Sequence, residues 1–153
     1  MPVYLVRHAH AGNRSGWDGD DAARPLSPKG RQQADGLLDW LDGRTIDRVV
    51  SSPAARCRET VAPLADAHGL DIVDDPRLAE GGNARSCIDA LVTSGGDVVL
   101  CSHGDLIPKV IRQLRADGMH TKDPNLSQKG STWVLEVEDG RVVAGRYHPP
   151  AKT

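Results

Sequence analysis

Three short β-branched and apolar runs, VYLV at 3–6, the VVSS of DRVVSS at 47–52 and VVLC at 98–101, are separated by segments with helical spacing. This alternation constrains the fold more than any other feature of the chain. Parallel strands cannot be joined by tight turns, and each needs a crossover, usually a helix, that runs right-handed and covers a face of the sheet. The expected fold is therefore α/β, a three-layer α/β/α sandwich with a mostly parallel central sheet. The VVLC run, apolar and unpunctuated, reads as a central strand.

The helices announce themselves by their caps. Ser27 is a natural N-cap, Pro28 suits the first helical position, and Ala34, Leu37, Leu38 and Leu41 follow the i, i+3, i+4, i+7 rule. In SPAARCRETVAPLADAHG the same logic makes Ser52 a cap, places Pro53 just inside, ends the helix at Gly69, and predicts a kink or break at Pro63. LDIVDD (70–75) reads as a short extended piece, PRLAEGGNA (76–84) as a loop, and Arg85–Val92 as a helix. Leu106, Ile107, Val110, Ile111 and Leu114 mark the helix after the third strand. The end differs: Asp139-Gly140 between two alternating runs in TWVLEVEDGRVVAGRYH predicts a C-terminal antiparallel hairpin. The polar stretch RSGWDGDDAARPLSPKG (14–30) has no sustained period, and a connection that long inside one domain is usually functional.

Composition narrows the class. At 153 residues, 1–153 reads as a single domain large enough to bury a core without staples. A formal net charge of −2 supplies no basic footprint for nucleic acid, and 3% aromatic content with no Phe supplies no platform for single-stranded bases. No stretch approaches the ~20 apolar residues of a membrane span, and no signal-peptide pattern opens the chain, so a cytoplasmic protein that engages neither membrane nor nucleic acid is expected. Cys57, Cys87 and Cys101 are odd in number and lack CxxC spacing, which reads as three buried, reduced thiols rather than disulfides or a zinc site.

The carboxyl ends of parallel strands share one edge, where open sheets bind ligands. Arg7 and His8 follow the first run, Arg56 the second, and Ser102, His103 and Gly104 the third, so two arginines and two histidines converge on what reads as a dianion pocket.

The motifs that carry these residues resemble those of the histidine phosphatase superfamily, with its phosphoglycerate-mutase-like fold. LVRHAHAG is similar to the Arg-His-Gly signature, PLSPKGRQQA to the Leu-Thr-x-x-Gly-x-x-Gln-Ala segment, SSPAARCRET to the Ser-Ser-x-x-x-Arg-Ala-x-x-Thr segment, and VVLCSHGDLI to the second-histidine strand. They occur in the family's order over residues 3 to 107. The resemblance implies a phosphohistidine intermediate on His8, with Arg7, Arg56 and His103 binding the phosphoryl group and no metal or other cofactor. It implies an acid at Glu80, with Asp18, Asp20, Asp21 and Asp105 as competitors. Neutral imidazole suits the nucleophilic role near neutral pH, and arginine forks suit the phosphoryl oxygens.

Ala9 departs from the family's glycine, which is tolerable where φ is negative. Asn13, Arg14, Arg24 and Lys29 are further substrate-contact candidates with Gly104, and Arg24 is equally readable as a surface partner of Asp20 or Asp21. Trp17 could lid the pocket or stack on a base, packing of its loop being the plainer use; Arg58 reads as a solvated or ion-paired helix residue.

The interval from Arg56 to His103 leaves no room for a mutase subdomain, and the closest likeness is to short phosphohistidine phosphatases and to the phosphatase domain of some Nudix hydrolases. The expected activity is that of a metal-independent phosphohydrolase. A phosphohistidine protein, a nucleotide or a small phosphate ester remain as substrates, and oligomeric state is open. The alternative is a phosphate-ligand binding or regulatory module without turnover. A metallophosphoesterase using His8-Ala-His10 and His103-Gly-Asp105 lacks further ligands and leaves the arginines without a role.

Overall fold

In a computed structural model describing residues 1–153, six strands form one sheet in the order β3-β2-β4-β1-β5-β6. The strands are β1 (Pro2–Arg7), β2 (Arg48–Ser51), β3 (Ile72–Asp74), β4 (Val98–Ser102), β5 (Thr132–Glu138) and β6 (Arg141–His148). The helices are α1 (Pro28–Trp40), α2 (Ala55–Ala67), α3 (Ala84–Thr93) and α4 (Ile107–Ala116). β1, β2, β3 and β4 pair in parallel, while β5 runs antiparallel to both β1 and β6. The α/β architecture and the C-terminal hairpin match the expectation. Asp139 and Gly140 turn that hairpin at φ 51° and 72°, the left-handed pair that matches strand twist.

Period-two alternation sorts the buried side chains into two cores. Val3 and Leu5 of β1 and Val98 and Leu100 of β4 join the cluster that includes Ile88 of α3 and Ile111 of α4. Tyr4, Val6, Val99 and Cys101 face the other way, onto Leu37 of α1 and Leu64 of α2. All three cysteines are buried and unpaired, as expected. No helix is long and apolar enough to cross a membrane.

Two local expectations fail around the second helix. α2 begins at Ala55, with Ala54 in the cap position and no side-chain cap bond. Ser52, expected to cap it, lies three residues upstream and turns its hydroxyl to His103 instead. The helix also runs uninterrupted through Pro63 to Ala67, because burial of Val61, Leu64 and Ala65 outweighs the loss of one backbone donor. The polar 14–30 stretch carries two single 3₁₀ turns, Arg14–Gly16 and Asp21–Ala23, each capped by the side chain before it, Asn13 and Asp20.

Strand register sets up the site. Arg7 pairs with Ser102 and Ser51 with Cys101, so His8, Ser52 and His103 leave three adjacent strands at one level. The backbone continues that pairing one step further, with His8 N–H donating to Ser102 O (3.0 Å) and Ser52 N–H to Cys101 O (2.9 Å).

Candidate active site

The segment that leaves β1 is held from three sides. Ala9 N–H donates to Thr60 Oγ1 (2.9 Å), whose own hydroxyl donates to Arg56 O, tying the loop to the first turns of α2. His10 N–H donates to Gln33 Oε1 (2.8 Å), and Gln33 Nε2 reaches across to Lys129 O (3.2 Å). Ser27 caps α1 as expected and also donates to His10 O (3.0 Å). Helix α1 packs so closely here that a Cβ at position 30 would lie 1.9 Å from the His10 carbonyl oxygen, which is why Gly30 stands there. Ala9 is absent from the residues with positive φ, so its side chain costs no backbone strain.

His8 is 7% exposed, and its Nδ1 lies 2.8 Å from Ala9 O. A carbonyl only accepts, so Nδ1 carries the proton and Nε2 keeps its lone pair, without a protein partner. Burial lowers the His8 pKa to about 3, the Ala9 bond opposing and the charges of His103, Arg56 and Arg7 assisting. The ring is therefore neutral through the physiological range. His103 stands edge-on to it, ring centroids 5.5 Å apart, with its Nε2 2.8 Å from Ser52 Oγ and 3.5 Å from the buried Cys57 Sγ.

Two guanidinium groups flank the histidines. Arg56 is 2% exposed, and Arg7 Nη1 donates to Ser127 O (2.6 Å). The Nε–H of each is buried and has no partner in the protein. Burial lowers the Arg7 pKa, as expected for a cation held away from water. Gly104 lets Arg7 pass: a Cβ there would sit 2.4 Å from Arg7 Cζ.

A ring of carboxylates and arginines closes the mouth. Glu80 accepts from Arg14 Nη2 (2.6 Å) and Arg56 Nη2 (2.9 Å). Asp21 meets Arg14 (3.2 Å), Arg24 (3.1 Å) and Arg56 (3.2 Å). Burial would raise the Asp21 pKa, but the hydrogen bond from Arg24 and the charges of Arg56, Arg14 and Arg24 outweigh it and hold it low.

The cavity over His8 and His103 has a volume of about 480 Å³. Arg7, His8, Asn13, Arg14, Arg24, Arg56, Glu80, His103 and Gly104, all singled out from sequence, line it together. Arg24 pairs with Asp21 as the second of its two readings had it, but it is no surface residue: it is 7% exposed and lines the cavity. Arg58 pairs with Asp74 outside the site. Among the rival acids Asp105 also lines the cavity, with its carboxylate accepting from Gly81 N–H (2.8 Å), whereas Asp20 is spent capping the Asp21–Ala23 turn.

His10 and Lys129 line the cavity without having been predicted to do so. Lys129 arrives because Gly130 N–H docks on Arg7 O and His8 O (both 3.1 Å). The one local signal was Gly130 before the last hairpin. No group of three or more His, Cys, Asp or Glu side chains converges as metal ligands would.

The profile of the histidine phosphatase superfamily (branch 1) matches residues 3–85. The chain is similar to an 8-oxo-(d)GTP phosphatase of Mycolicibacterium smegmatis, 33% identical over 154 aligned positions that cover 97% of this chain and 48% of the relative. It is also similar to the uncharacterized protein Rv0525 of Mycobacterium tuberculosis, 39% identical over 82 residues that cover 53% of this chain and 41% of that one. The chain thus spans about half the length of the curated relatives it matches. In fold it is similar to the protein histidine phosphatase SixA complexed with tungstate, with a TM-score of 0.78, 22% identity, and coverage of 98% of this chain and 96% of that one. With Arg7 and His8 inside the matched residues and the same sheet over nearly the whole chain, the protein belongs to the histidine phosphatase superfamily, branch 1.

Proposed function

We propose that residues 1–153 form one histidine phosphatase domain that removes a phosphoryl group from a phosphohistidine protein, a nucleotide or a small phosphate ester through a phosphohistidine on His8, without a metal. The observation that carries this reading is the state of His8: a buried, neutral ring whose Nδ1–H is fixed on Ala9 O, leaving the Nε2 lone pair beside two arginines with unpartnered Nε–H groups.

The chemistry follows from those groups. Nε2 attacks phosphorus while Arg7, Arg56 and His103 hold the non-bridging oxygens, which need charge-assisted donors already in place when charge redistributes. Ser52 is placed to donate its hydroxyl to His103 Nε2, an arrangement that leaves the proton of the ring on Nδ1 as a donor. Glu80, at the mouth, is a carboxylate on Arg56; a phosphoryl group that takes over Arg56 frees it to take up a proton, which it gives to the leaving oxygen and regains from the attacking water. Water then attacks the phosphohistidine, the P–N bond breaks with its electron pair returning to Nε2, and phosphate leaves. Arg14, Arg24, Asn13 and Gly104 shape the entry around the substrate. A nucleotide, a phosphohistidine protein and a small ester are the substrate classes, the first two supported by the names of the relative and of the structural neighbour.

The test is phosphate release from radiolabelled phenyl phosphate by wild type and His8→Ala in EDTA, with quenching in alkaline detergent to trap labelled protein. An acid-labile phosphoprotein and EDTA-resistant release, both lost in His8→Ala, are expected. Tight phosphate binding with no labelled intermediate would instead favour the binding-module reading.

A further inference from the structure

Beside the main cavity lies a second hollow of about 260 Å³, lined by Gly16, Trp17, Pro25 and Leu26 and sharing Ala11, Gly12, Asn13 and Arg24 with the first. The two form one continuous cleft whose character changes along its length. At one end are His8 and His103; at the other are an indole and two apolar side chains. Trp17 is not spent on a core: it is 38% exposed, and its Nε1–H donates to Asp20 O (2.9 Å), which pins the ring at the loop surface.

Between the two ends the cleft carries cationic groups with donors to spare. Arg24, nine-tenths buried, commits Nε to Asp21 and Nη1 to Ala11 O (2.6 Å), and its Nη2 has no partner in the protein. Lys129 lines the rim and forms no ion pair. Lys29 and Arg7 are near enough to repel its charge, and both lysines repel a proton on His10. A lysine set among like charges with no ion pair of its own is costly. The reacting phosphoryl group already has Arg7, Arg56 and His103.

Resting on the phosphohydrolase reading above, we propose that this cleft selects a nucleoside diphosphate: the terminal phosphoryl group on the His8 floor, the second on Arg24 and Lys129, and the base against Trp17. In the reaction a bond forms between His8 Nε2 and the terminal phosphorus while the phosphorus to bridging-oxygen bond breaks. The nucleoside monophosphate leaves with that electron pair. Water then displaces His8 from phosphorus, giving inorganic phosphate and neutral imidazole. The leaving oxygen belongs to a phosphate, whose second pKa is about 6, so it departs without a proton from Glu80.

The experiment compares kcat/KM for GDP, GMP, pyrophosphate, phenyl phosphate and a phosphohistidine peptide in wild type and in Lys129→Ala, Lys129→Arg, Trp17→Ala, Trp17→Phe and His8→Ala. GDP is expected to lead the others by about tenfold or more, since a charge-assisted contact and a stacked base are each of that order. Lys129→Ala is expected to lower the GDP to GMP ratio about tenfold, with Lys129→Arg restoring it. Trp17→Ala is expected to lower the GDP to pyrophosphate ratio by a similar factor, with Trp17→Phe retaining it. In His8→Ala, GDP is expected to quench tryptophan fluorescence, and the quench to vanish when Trp17→Phe is added, which tests the base contact without turnover. Release from phenyl phosphate through His8 with no preference for GDP, or with the phosphohistidine peptide preferred, overturns the diphosphate proposal and leaves the phosphohydrolase reading standing. No His8-dependent release from any of the five overturns both.

Discussion

Gly104 shows how one missing side chain shapes the site. Arg7 crosses over it, and a Cβ would overlap the guanidinium. Gly104→Ala is expected to push Arg7 off the phosphoryl position and lower kcat/KM for phenyl phosphate about 10- to 100-fold, the worth of a charge-assisted contact; steady-state kinetics beside an unfolding curve would separate this from a loss of fold. His8 makes a second residue-level prediction. Its folded pKa of about 3 lies below the ordinary 6.5, so an unfolded chain takes up a proton that the folded one refuses. This contribution is full above about pH 6.5 and declines as pH falls toward 3, at up to about 1.4 kcal/mol per pH unit. Urea unfolding at pH 7.5 and 5.0 should therefore show the stability of wild type falling relative to His8→Ala; a constant difference would contradict a neutral buried ring. Glu80 supplies the third. Glu80→Gln is expected to slow an alkyl phosphate, whose leaving oxygen needs a proton, about 10²-fold or more, and phenyl phosphate, a better leaving group, less. Equal rates to wild type on both would remove Glu80 from the mechanism.

At the scale of the element, α1 and α2 act as clamps on the strand end that carries His8. Gln33 bridges His10 N–H and Lys129 O, two backbone groups from segments 119 residues apart in the chain. Gln33→Ala frees both, and because the two bonds are only partly buried a loss of about 0.5–1.5 kcal/mol per bond is expected in urea, accompanied by slower turnover as the His8 loop loosens. Unchanged stability would mean that water replaces the amide. The misplaced start of α2 belongs to this scale too. A serine two residues before an alanine pair is a good local cap, but Ser52 sits at the end of β2, level with the end of β4, and bonding to His103 there competes with capping. Cap rules weigh only neighbours in sequence. Pro63 misleads for the same reason: its cost is local, whereas the burial that outweighs it comes from the sheet beneath.

At the scale of the whole molecule the cavity is assembled from distant segments, and the phosphatase reading predicts that it responds to anions as a unit. Inorganic phosphate at about 100 times its Kd is expected to stabilise wild type by about 2.7 kcal/mol, seen as a rise in Tm that is lost in Arg56→Met; a rise that survives that change would place the anion elsewhere. Much of this was legible beforehand. Period-two runs and capped, 3.6-period segments determined the layers, because strands and helices bury different spacings of apolar residues, and the same runs put Arg7, His8, Arg56 and His103 at one edge, because parallel strands end together. The motifs around them pointed to the family whose profile matches residues 3–85. What the sequence by itself did not determine is which exposed-looking groups turn inward: Arg24 became a buried member of the cleft, Lys129 reached its rim from a loop 121 residues beyond His8, and Asp21 became the shared partner of three arginines. Those placements depend on loops, whose paths are set by single hydrogen bonds and close contacts with other segments, such as Gly130 on Arg7 and His8, and contacts of that kind leave no periodic trace in the chain.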